Sequence, residues 1–255
     1  MNGTMGSVNK KTFVTATLAL LLAASGAGCD KAQRIGSTIR SQVSSALQPT
    51  QNNAVSPSAG AITVPIDAQA TKAALEALPV KGRAPMTGYS RDQFGPAWTD
   101  DNDDAGGHNG CDTRDDILAR DLTNLQYKDN KRCVVSSGVL NDPYTGKVID
   151  FTRGPSTSLA VQIDHVVPLG NAWVTGAQQI SARARQNLAN DPNNLLAVDG
   201  PTNGQKSDGD AATWLPPNKG FRCAYVARQV QIKTTYGLWV TSPEKEAIER
   251  ILQSC

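Results

Sequence analysis

One of only two histidines in the 255-residue chain lies in the segment "VQIDHVVPLGNAW", residues 161–173, directly after an aspartate. Asp164 offers a hard oxygen ligand of the kind that Mg²⁺ and Mn²⁺ prefer, and His165 offers a base that titrates near neutral pH. Hydrolysis of a phosphodiester needs a base that takes a proton from water and a divalent cation that neutralises charge on the phosphate. The pair therefore indicates metal-assisted hydrolysis.

Three further polar residues follow in "NNLLAVDGPTNGQK", residues 193–206. Apolar alternation predicts a strand over "LAVQIDHVV" and a second short strand over "NNLLAV", and "PTNGQK" predicts the start of a helix. In this order Asn194 lies on the second strand, whereas Asn203 and Lys206, three residues apart, share one face of the helix. These residues would then gather with the Asp-His pair around one cation and one phosphate.

The Asp-His pair imposes a condition on the first strand. Neighbouring side chains of an ideal strand point to opposite faces. Asp164 and His165 can serve one site only if the strand ends at Ile163 and the chain turns. Pro168 and Gly170, which follow in "VVPLG", are typical of such a turn.

Each of these residues also has a structural interpretation. A lone histidine is ordinarily a core or surface residue. The catalytic interpretation of His165 therefore rests on the four polar residues that accompany it. Asn194 is also typical of a turn, and Asn203 of a helix cap. His108, in "GGHNGC", has no comparable partners and is interpreted as a loop residue. Asp191 is interpreted as a turn residue.

An acidic run, "DDNDD" at residues 100–104, has the composition of a calcium loop. An EF-hand requires glycine where Ala105 stands and glutamate where Cys111 stands. A solvated acidic loop is therefore the expectation.

Residues 1–28 contain two lysines and no acidic residue, so the chain without them would have no net charge. The charges that remain are unevenly distributed. Residues 90–116 hold eight aspartates, whereas residues 166–240 hold seven basic and four acidic residues. A polyanion is therefore expected to prefer the C-terminal half. Four arginines there are candidates for a phosphate track or, singly, for solvated helix positions: Arg183, Arg185, Arg222 and Arg228.

The remaining pattern predicts an α+β fold. Helices are expected in "TKAALEALPV", "TRDDILARDLTNL", "WVTGAQQISARARQNLAN" and "CAYVARQVQIKTTY". A last helix is expected in "TSPEKEAIERILQSC", where Thr241 and Glu244 can form a capping box. The segment "RCVVSSGVLNDPYTGKVIDFTR" predicts a β-hairpin around a Pro/Gly turn.

The first part of the chain is interpreted as an export and tether region. Residues 1–28 are typical of a secretion signal, because two lysines precede an apolar stretch that is short for a membrane span. Small residues then lead to Cys29, which resembles the lipid acceptor of a bacterial lipoprotein and would attach the protein to a membrane. Simple cleavage and an unprocessed leader are the alternatives. Residues 30–71 are predicted to be a flexible linker, and residues 72–255 the folded domain.

Five cysteines favour an exported protein, because disulfides persist in oxidising compartments. If Cys29 takes a lipid, four cysteines remain, and four allow three connectivities. Cys111–Cys133 and Cys223–Cys255 are expected, because each pair closes a local segment. Four buried thiols in a cytosolic protein are the alternative.

The segments "DHVVPL", "NDPNNLLAV", "NGQKSDGD" and "WLPP", in this order, resemble the HNH, or ββα-metal, endonucleases. Within them the chain looks most like the GmrSD restriction-endonuclease C-terminal family, in an exported form. The resemblance extends to "YSRDQFGPAW", "GCDTRDDILARDL", "DPYTGKVIDF" and "CAYVARQVQIK", and so covers roughly residues 85–255. It implies a ββα-metal (HNH) core with flanking helices and a β-hairpin, stapled by disulfides.

By this resemblance, His165 is the general base and Asp164 is a metal ligand. Asn194 would orient the histidine and the loop between the strands, Asn203 would be the second protein ligand of the metal, and Lys206 would lie near the phosphate. Asn203 stands where the HNH name has a histidine. A site of Asp and Asn oxygens favours Mg²⁺ or Mn²⁺ over tightly held zinc.

The expected activity is cleavage of DNA, with RNA as a second candidate substrate, outside the cell or at its surface. By resemblance, the products would carry 5′-phosphates and 3′-hydroxyls. No protein partner is inferred. The alternative is a non-catalytic exported module that keeps the scaffold to bind nucleic acid or a protein, although a pure binder needs no cation site beside a histidine.

Overall fold

The computed structural model describes residues 66–255, which form an α+β fold as expected. The described helices are α1 (Ala68–Ala77), α2 (Thr113–Asp121), α3 (Leu169–Val174), α4 (Ala182–Asn190), α5 (Gly200–Lys206), α6 (Arg222–Thr235) and α7 (Ser242–Leu252). The described strands are β1 (Leu122–Tyr127), β2 (Val135–Asn141), β3 (Val148–Thr152), β4 (Val161–His165) and β5 (Leu195–Asp199).

The predicted leader, residues 1–28, the candidate lipid acceptor Cys29 and most of the predicted linker lie outside the described residues. Helix α1 begins at Ala68, inside the segment predicted to be linker. The helix begins there because the Asp67 side chain accepts a hydrogen bond of 2.8 Å from the Ala70 backbone N–H. Within residues 66–255, every helix is too short or too polar to cross a membrane.

The strands form two antiparallel sheets, one ordered β1-β2-β3 and one made of β4 and β5. The predicted hairpin is confirmed as β2 and β3. The expectation of one helix over residues 113–125 is wrong, because α2 ends at Asp121 and the chain continues as β1. Leu122 pairs with Leu140 of β2, so strand pairing overrides the helical spacing of the leucines.

The predicted helix over residues 173–190 is also divided, into the end of α3, a 3₁₀ turn at Ala177–Gln179, and α4. Gly176 interrupts it with a φ of 129°, a conformation that favours glycine. The predicted capping box at the start of α7 is confirmed, since Thr241 and Glu244 exchange the expected hydrogen bonds.

The β4–β5 sheet is buried on both faces. Leu196 and Val198 pack in the cluster that contains α1, α6 and α7, whereas Ile163 and Ala197 pack in the cluster that contains α2 and the three-stranded sheet. A strand pair covered on both sides holds the residues at its ends in fixed positions.

Two disulfides each close a local segment of the described chain, Cys111 to Cys133 and Cys223 to Cys255. The first joins the loop before α2 to the loop between β1 and β2. The second joins the start of α6 to Cys255, three residues after the end of α7. Both expected pairs are therefore confirmed.

Candidate active site

The candidate site lies where β4 ends. The strand continues through His165, which pairs with Leu195 of β5, so the prediction that it ends at Ile163 is wrong. Consecutive side chains then take opposite faces of the sheet. Asp164 contacts Tyr144 of one core cluster, whereas His165 stacks on Trp98, which packs against the other cluster. The two side chains therefore have different surroundings, although both residues line one polar cavity at the end of β4.

The His165 ring is held in one tautomer. It is 8 % exposed, and its Nε2 lies 2.9 Å from the Ala189 carbonyl oxygen in the last turn of α4. Last-turn carbonyls have no partner within their helix, so this oxygen is available to accept. Because a carbonyl only accepts, Nε2 carries the proton and Nδ1 keeps its lone pair. The indole of Trp98 stacks on the ring, with centroids 5.6 Å apart.

Burial lowers the pKa of His165 to about 4. The hydrogen bond to Ala189 opposes the shift, whereas the positive charges of Arg91 and Lys206 add to it. The ring is therefore neutral at physiological pH, and its Nδ1 is unprotonated.

Asn194 is fully buried and holds the chain around His165. Its Oδ1 accepts a hydrogen bond of 2.8 Å from the Val167 N–H, and its Nδ2 donates to the Leu188 carbonyl at 3.1 Å. Its own carbonyl accepts from the Val166 N–H at 2.7 Å. Asn194 thus ties the segment after β4 to the end of α4, whose next carbonyl holds the His165 ring.

Lys206 occupies a different position from the one expected. Its side chain is 0 % exposed, and its Nζ donates to Asp164 Oδ1 at 2.9 Å and to the His165 carbonyl oxygen at 2.8 Å. A buried ammonium that is bound in this way cannot meet a phosphate in this conformation. The predicted position of Lys206 beside the phosphate would require its ammonium to leave the buried Asp164 carboxylate, which takes it as a counter-ion.

Asp164 lies at the centre of this buried network. Its Oδ2 accepts a hydrogen bond of 2.5 Å from the Tyr144 hydroxyl, and its Oδ1 accepts from Lys206. Burial raises the pKa of Asp164, and the Lys206 charge opposes that shift. Each carboxylate oxygen retains one further lone pair.

A polar cavity of about 220 Å³ adjoins the end of β4. Asn203, on α5, donates from Nδ2 to Gln162 Oε1 at 2.9 Å, which leaves its Oδ1 as the unused acceptor among the described contacts. Asp208, two residues after α5, is exposed, and its carboxylate packs against Gly170 so closely that a Cβ there would lie 2.5 Å from Oδ2. The polar residues that line the cavity are Tyr89, Arg91, Asp164, His165, Asn203, Ser207 and Asp208.

Oxygen donors in this cavity fit a divalent cation of the hard type. The Asn203 Oδ1 is available, and Asp208 supplies a carboxylate without a bound ammonium, whereas the charge of Asp164 is offset by Lys206. Within residues 66–255 no group of three or more His, Cys, Asp or Glu side chains is arranged to hold a metal. Any cation here would therefore have a shell completed by amide, water and phosphate oxygens.

Four polar residues of the cavity were not predicted from the sequence: Tyr89, Arg91, Ser207 and Asp208. Tyr89 and Arg91 come from "YSRDQFGPAW", as does Trp98, more than 60 residues before β4. The resemblance of this segment to the family was the one sequence feature that pointed to these three residues. Local periodicity does not show that a residue will reach the end of a strand that is distant in sequence.

The acidic loop and two of the four arginines of the predicted track, Arg183 and Arg185, have structural roles. Arg183 pairs with Asp101 at 2.9 Å and also with Asp103, so it fixes the acidic loop to α4. Arg185 donates to the Gln93 carbonyl at 2.7 Å. These two arginines are therefore engaged within the protein.

Comparison with known proteins gives two matches. Residues 112–251 match the family described as GmrSD restriction endonucleases, C-terminal domain. An uncharacterized secreted protein of Arthroderma benhamiae is 37% identical over 190 residues, which cover 74% of this chain and 86% of that protein. No solved structure matches the chain. This chain belongs to the GmrSD restriction-endonuclease C-terminal domain family, as the resemblance implied.

Proposed function

We propose that this protein is an exported, metal-dependent endonuclease that hydrolyses the phosphodiester bonds of DNA, with His165 as the general base. The observation that carries the proposal is the state of His165: a neutral ring, fixed through Nε2, with a free Nδ1 beside a polar cavity. Family membership supports a nuclease-related role.

The local topology supports an HNH, or ββα-metal, core. Strands β4 and β5 are antiparallel, and α5 follows β5 directly, with Asp199 as its N-cap. His165 ends the first strand, Asn194 precedes the second, and Asn203 lies in the helix. The 29-residue connection between the strands, residues 166–194, contains α3 and α4 and supplies the carbonyl that holds the base.

In the proposed reaction, His165 Nδ1 takes a proton from a water molecule, and the resulting hydroxide oxygen bonds to phosphorus. The bond between phosphorus and O3′ breaks, and the O3′ leaving group takes a proton from solvent. The products then carry a 5′-phosphate and a 3′-hydroxyl. Asn194 keeps the base in position through the end of α4, and Trp98 restricts the rotation of its ring.

A divalent cation, Mg²⁺ or Mn²⁺, would be held by oxygens of the predicted ligands Asp164 and Asn203, with the Asp208 carboxylate of the same cavity as a further donor. It would supply positive charge to the phosphate and the leaving oxygen. Because few protein atoms contribute, we expect weak cation binding without substrate and tighter binding with it.

Export is supported by the secreted relative and by the two disulfides. Residues 1–28 would act as the leader and residues 30–71 as a linker, with lipidation of Cys29 as a possible means of attachment. The nuclease domain would then be the remaining part of the chain, from the predicted boundary near residue 72 or, with α1 included, from Asp67.

The test is incubation of purified protein with plasmid DNA and, in parallel, with RNA, in Mg²⁺ or Mn²⁺ and with or without chelator. We expect cleavage that the chelator abolishes, and His165→Ala should reduce it by roughly 10²–10⁴-fold. His108→Ala is the matched control, because His108 is exposed in a loop. DNA binding without any cleavage would instead favour the non-catalytic binding module.

A further inference from the structure

Arg91 lies in the wall of the polar cavity and forms no ion pair within residues 66–255. It is exposed, and it lines the cavity that also contains His165 and Asn203. The arginines that do pair with aspartates in the described residues are Arg83, Arg120, Arg153 and Arg183.

We propose that the Arg91 guanidinium binds a phosphate of the nucleic-acid substrate beside His165. This inference rests on the proposed nuclease function and names the cationic group of that site. A guanidinium presents two parallel N–H groups to phosphate oxygens and is weakly hydrated, so it suits an exposed position that becomes covered by substrate.

The backbone that carries Arg91 is fixed, although its charged end is free. Arg91 begins a 3₁₀ turn, Arg91–Phe94, in which Phe94 is buried against Tyr89 and Trp173. The turn is joined to α4 by the hydrogen bond from Arg185 to the Gln93 carbonyl. A fixed turn with a free guanidinium places charge near the site at little ordering cost when a ligand binds.

The position of Arg91 relative to His165 agrees with this role. Arg91 also lines a second cavity of about 220 Å³, and His165 lies in the walls of both. A phosphate bound by Arg91 would therefore lie near the nitrogen that activates water.

The other charges around the cavity favour Arg91 over other candidates. Lys206 is buried and bound to Asp164, so it cannot meet phosphate. Arg91 and Asp208 line the same cavity without forming an ion pair with each other, although both influence the pKa of Tyr89. The cavity thus offers one unpaired guanidinium for phosphate and one carboxylate for a cation.

The experiment compares purified full-length wild type with Arg91→Ala, Arg91→Lys and the control Arg250→Ala. Arg250 is exposed on α7 and outside both cavities, so its removal deletes the same charge elsewhere. We expect Arg91→Ala to lower kcat/KM on a DNA duplex by about ten- to a hundredfold, the range for one charge-assisted hydrogen-bonding group. Arg91→Lys should retain part of the activity, and Arg250→Ala should match wild type.

A binding measurement separates this proposal from the nuclease proposal. In an inactive His165→Ala background, Arg91→Ala should reduce the slope of log affinity against log salt by about 0.9, the value for one lost phosphate contact. Equal slopes and equal kcat/KM for the Arg91→Ala and Arg250→Ala proteins would overturn the role of Arg91. Absence of cleavage by wild type in both cations would overturn the nuclease function, and the salt slope would still decide the role of Arg91.

Discussion

The Lys206 ammonium lies 2.9 Å from the Asp164 carboxylate, and both side chains are buried. The same ammonium binds the carbonyl of His165, so it fixes the backbone of the proposed base. Lys206 of α5 therefore acts as an internal counter-ion for Asp164 and supports the end of β4.

Lys206→Met should lower the free energy of unfolding by about 3–5 kcal/mol, because it leaves the Asp164 carboxylate buried without its counter-ion. Chemical denaturation measures this loss. Lys219→Met is the control, since Lys219 is exposed, and it should unfold like wild type. Adding Asp164→Leu to Lys206→Met should recover part of the loss. If Lys206→Met unfolds at the wild-type denaturant concentration, the ion pair does not support the fold.

The fold was largely predictable where local periodicity and burial agree. Apolar alternation identified β4 and β5, and helical spacing identified α6 and α7. Strand β1 was missed because its leucines continue the helical spacing of α2, and only pairing with β2 decides its conformation. Local patterns report the conformation of a segment, whereas pairing depends on residues that are distant in sequence.

The site was predictable in part for the same reason. Asp164, His165 and Asn203 lie in recognisable segments, and the structure brings all three to one cavity. The burial of Lys206 could not be inferred, because it depends on Tyr144 and Asp164, which lie on other elements. The involvement of Arg91 depends equally on packing between distant segments.

As the pH is lowered, kcat/KM should fall with a midpoint near pH 4 and not near pH 6.5, because burial lowers the pKa of His165 to about 4. A pH–rate profile of kcat/KM at saturating cation checks this. The control is His108→Ala, which removes the other histidine of the chain and should leave the profile unchanged. A midpoint near 6.5 would mean that the ring is more hydrated than its burial indicates.

The same shift links His165 to stability. The unfolded chain takes up a proton near pH 6.5, whereas the folded protein resists protonation until about pH 4. The unfolded state therefore binds more protons between these values, so stability should fall as the pH is lowered from 6.5 to 4. His165→Gln should remove this part of the pH dependence, which denaturation at several pH values measures.

Trp98→Ala should lower kcat by roughly tenfold with a smaller change in KM, because the His165 ring loses the indole that restricts its rotation. Trp98→Phe keeps an aromatic face and should recover most of the rate. Steady-state kinetics on one DNA duplex compares the three proteins. Equal loss in both variants, or a change in KM alone, would argue against a positioning role.

Opening either disulfide should cost about 3–4 kcal/mol, given sequence separations of 22 and 32 residues. The Cys111→Ser, Cys133→Ser double variant and the Cys223→Ser, Cys255→Ser double variant separate the two bridges. Thermal unfolding with and without reductant measures the effect: wild type should lose stability on reduction, and each double variant should lose only the contribution of its remaining bridge. Insensitivity of wild type to reductant would contradict the prediction.

Asn203→Ala and Asp208→Ala should each raise the Mg²⁺ or Mn²⁺ concentration for half-maximal cleavage by about tenfold or more, because each removes an oxygen donor from the cavity. Asp150→Ala, which deletes one exposed carboxylate on β3, is the matched control and should leave this concentration unchanged. Cation titrations of the cleavage rate compare the proteins, and end-labelling of the products should detect 5′-phosphates. Undiminished cleavage in excess chelator would exclude cation-assisted hydrolysis at this site, and 3′-phosphate ends would exclude displacement of O3′; neither result would exclude nuclease activity itself.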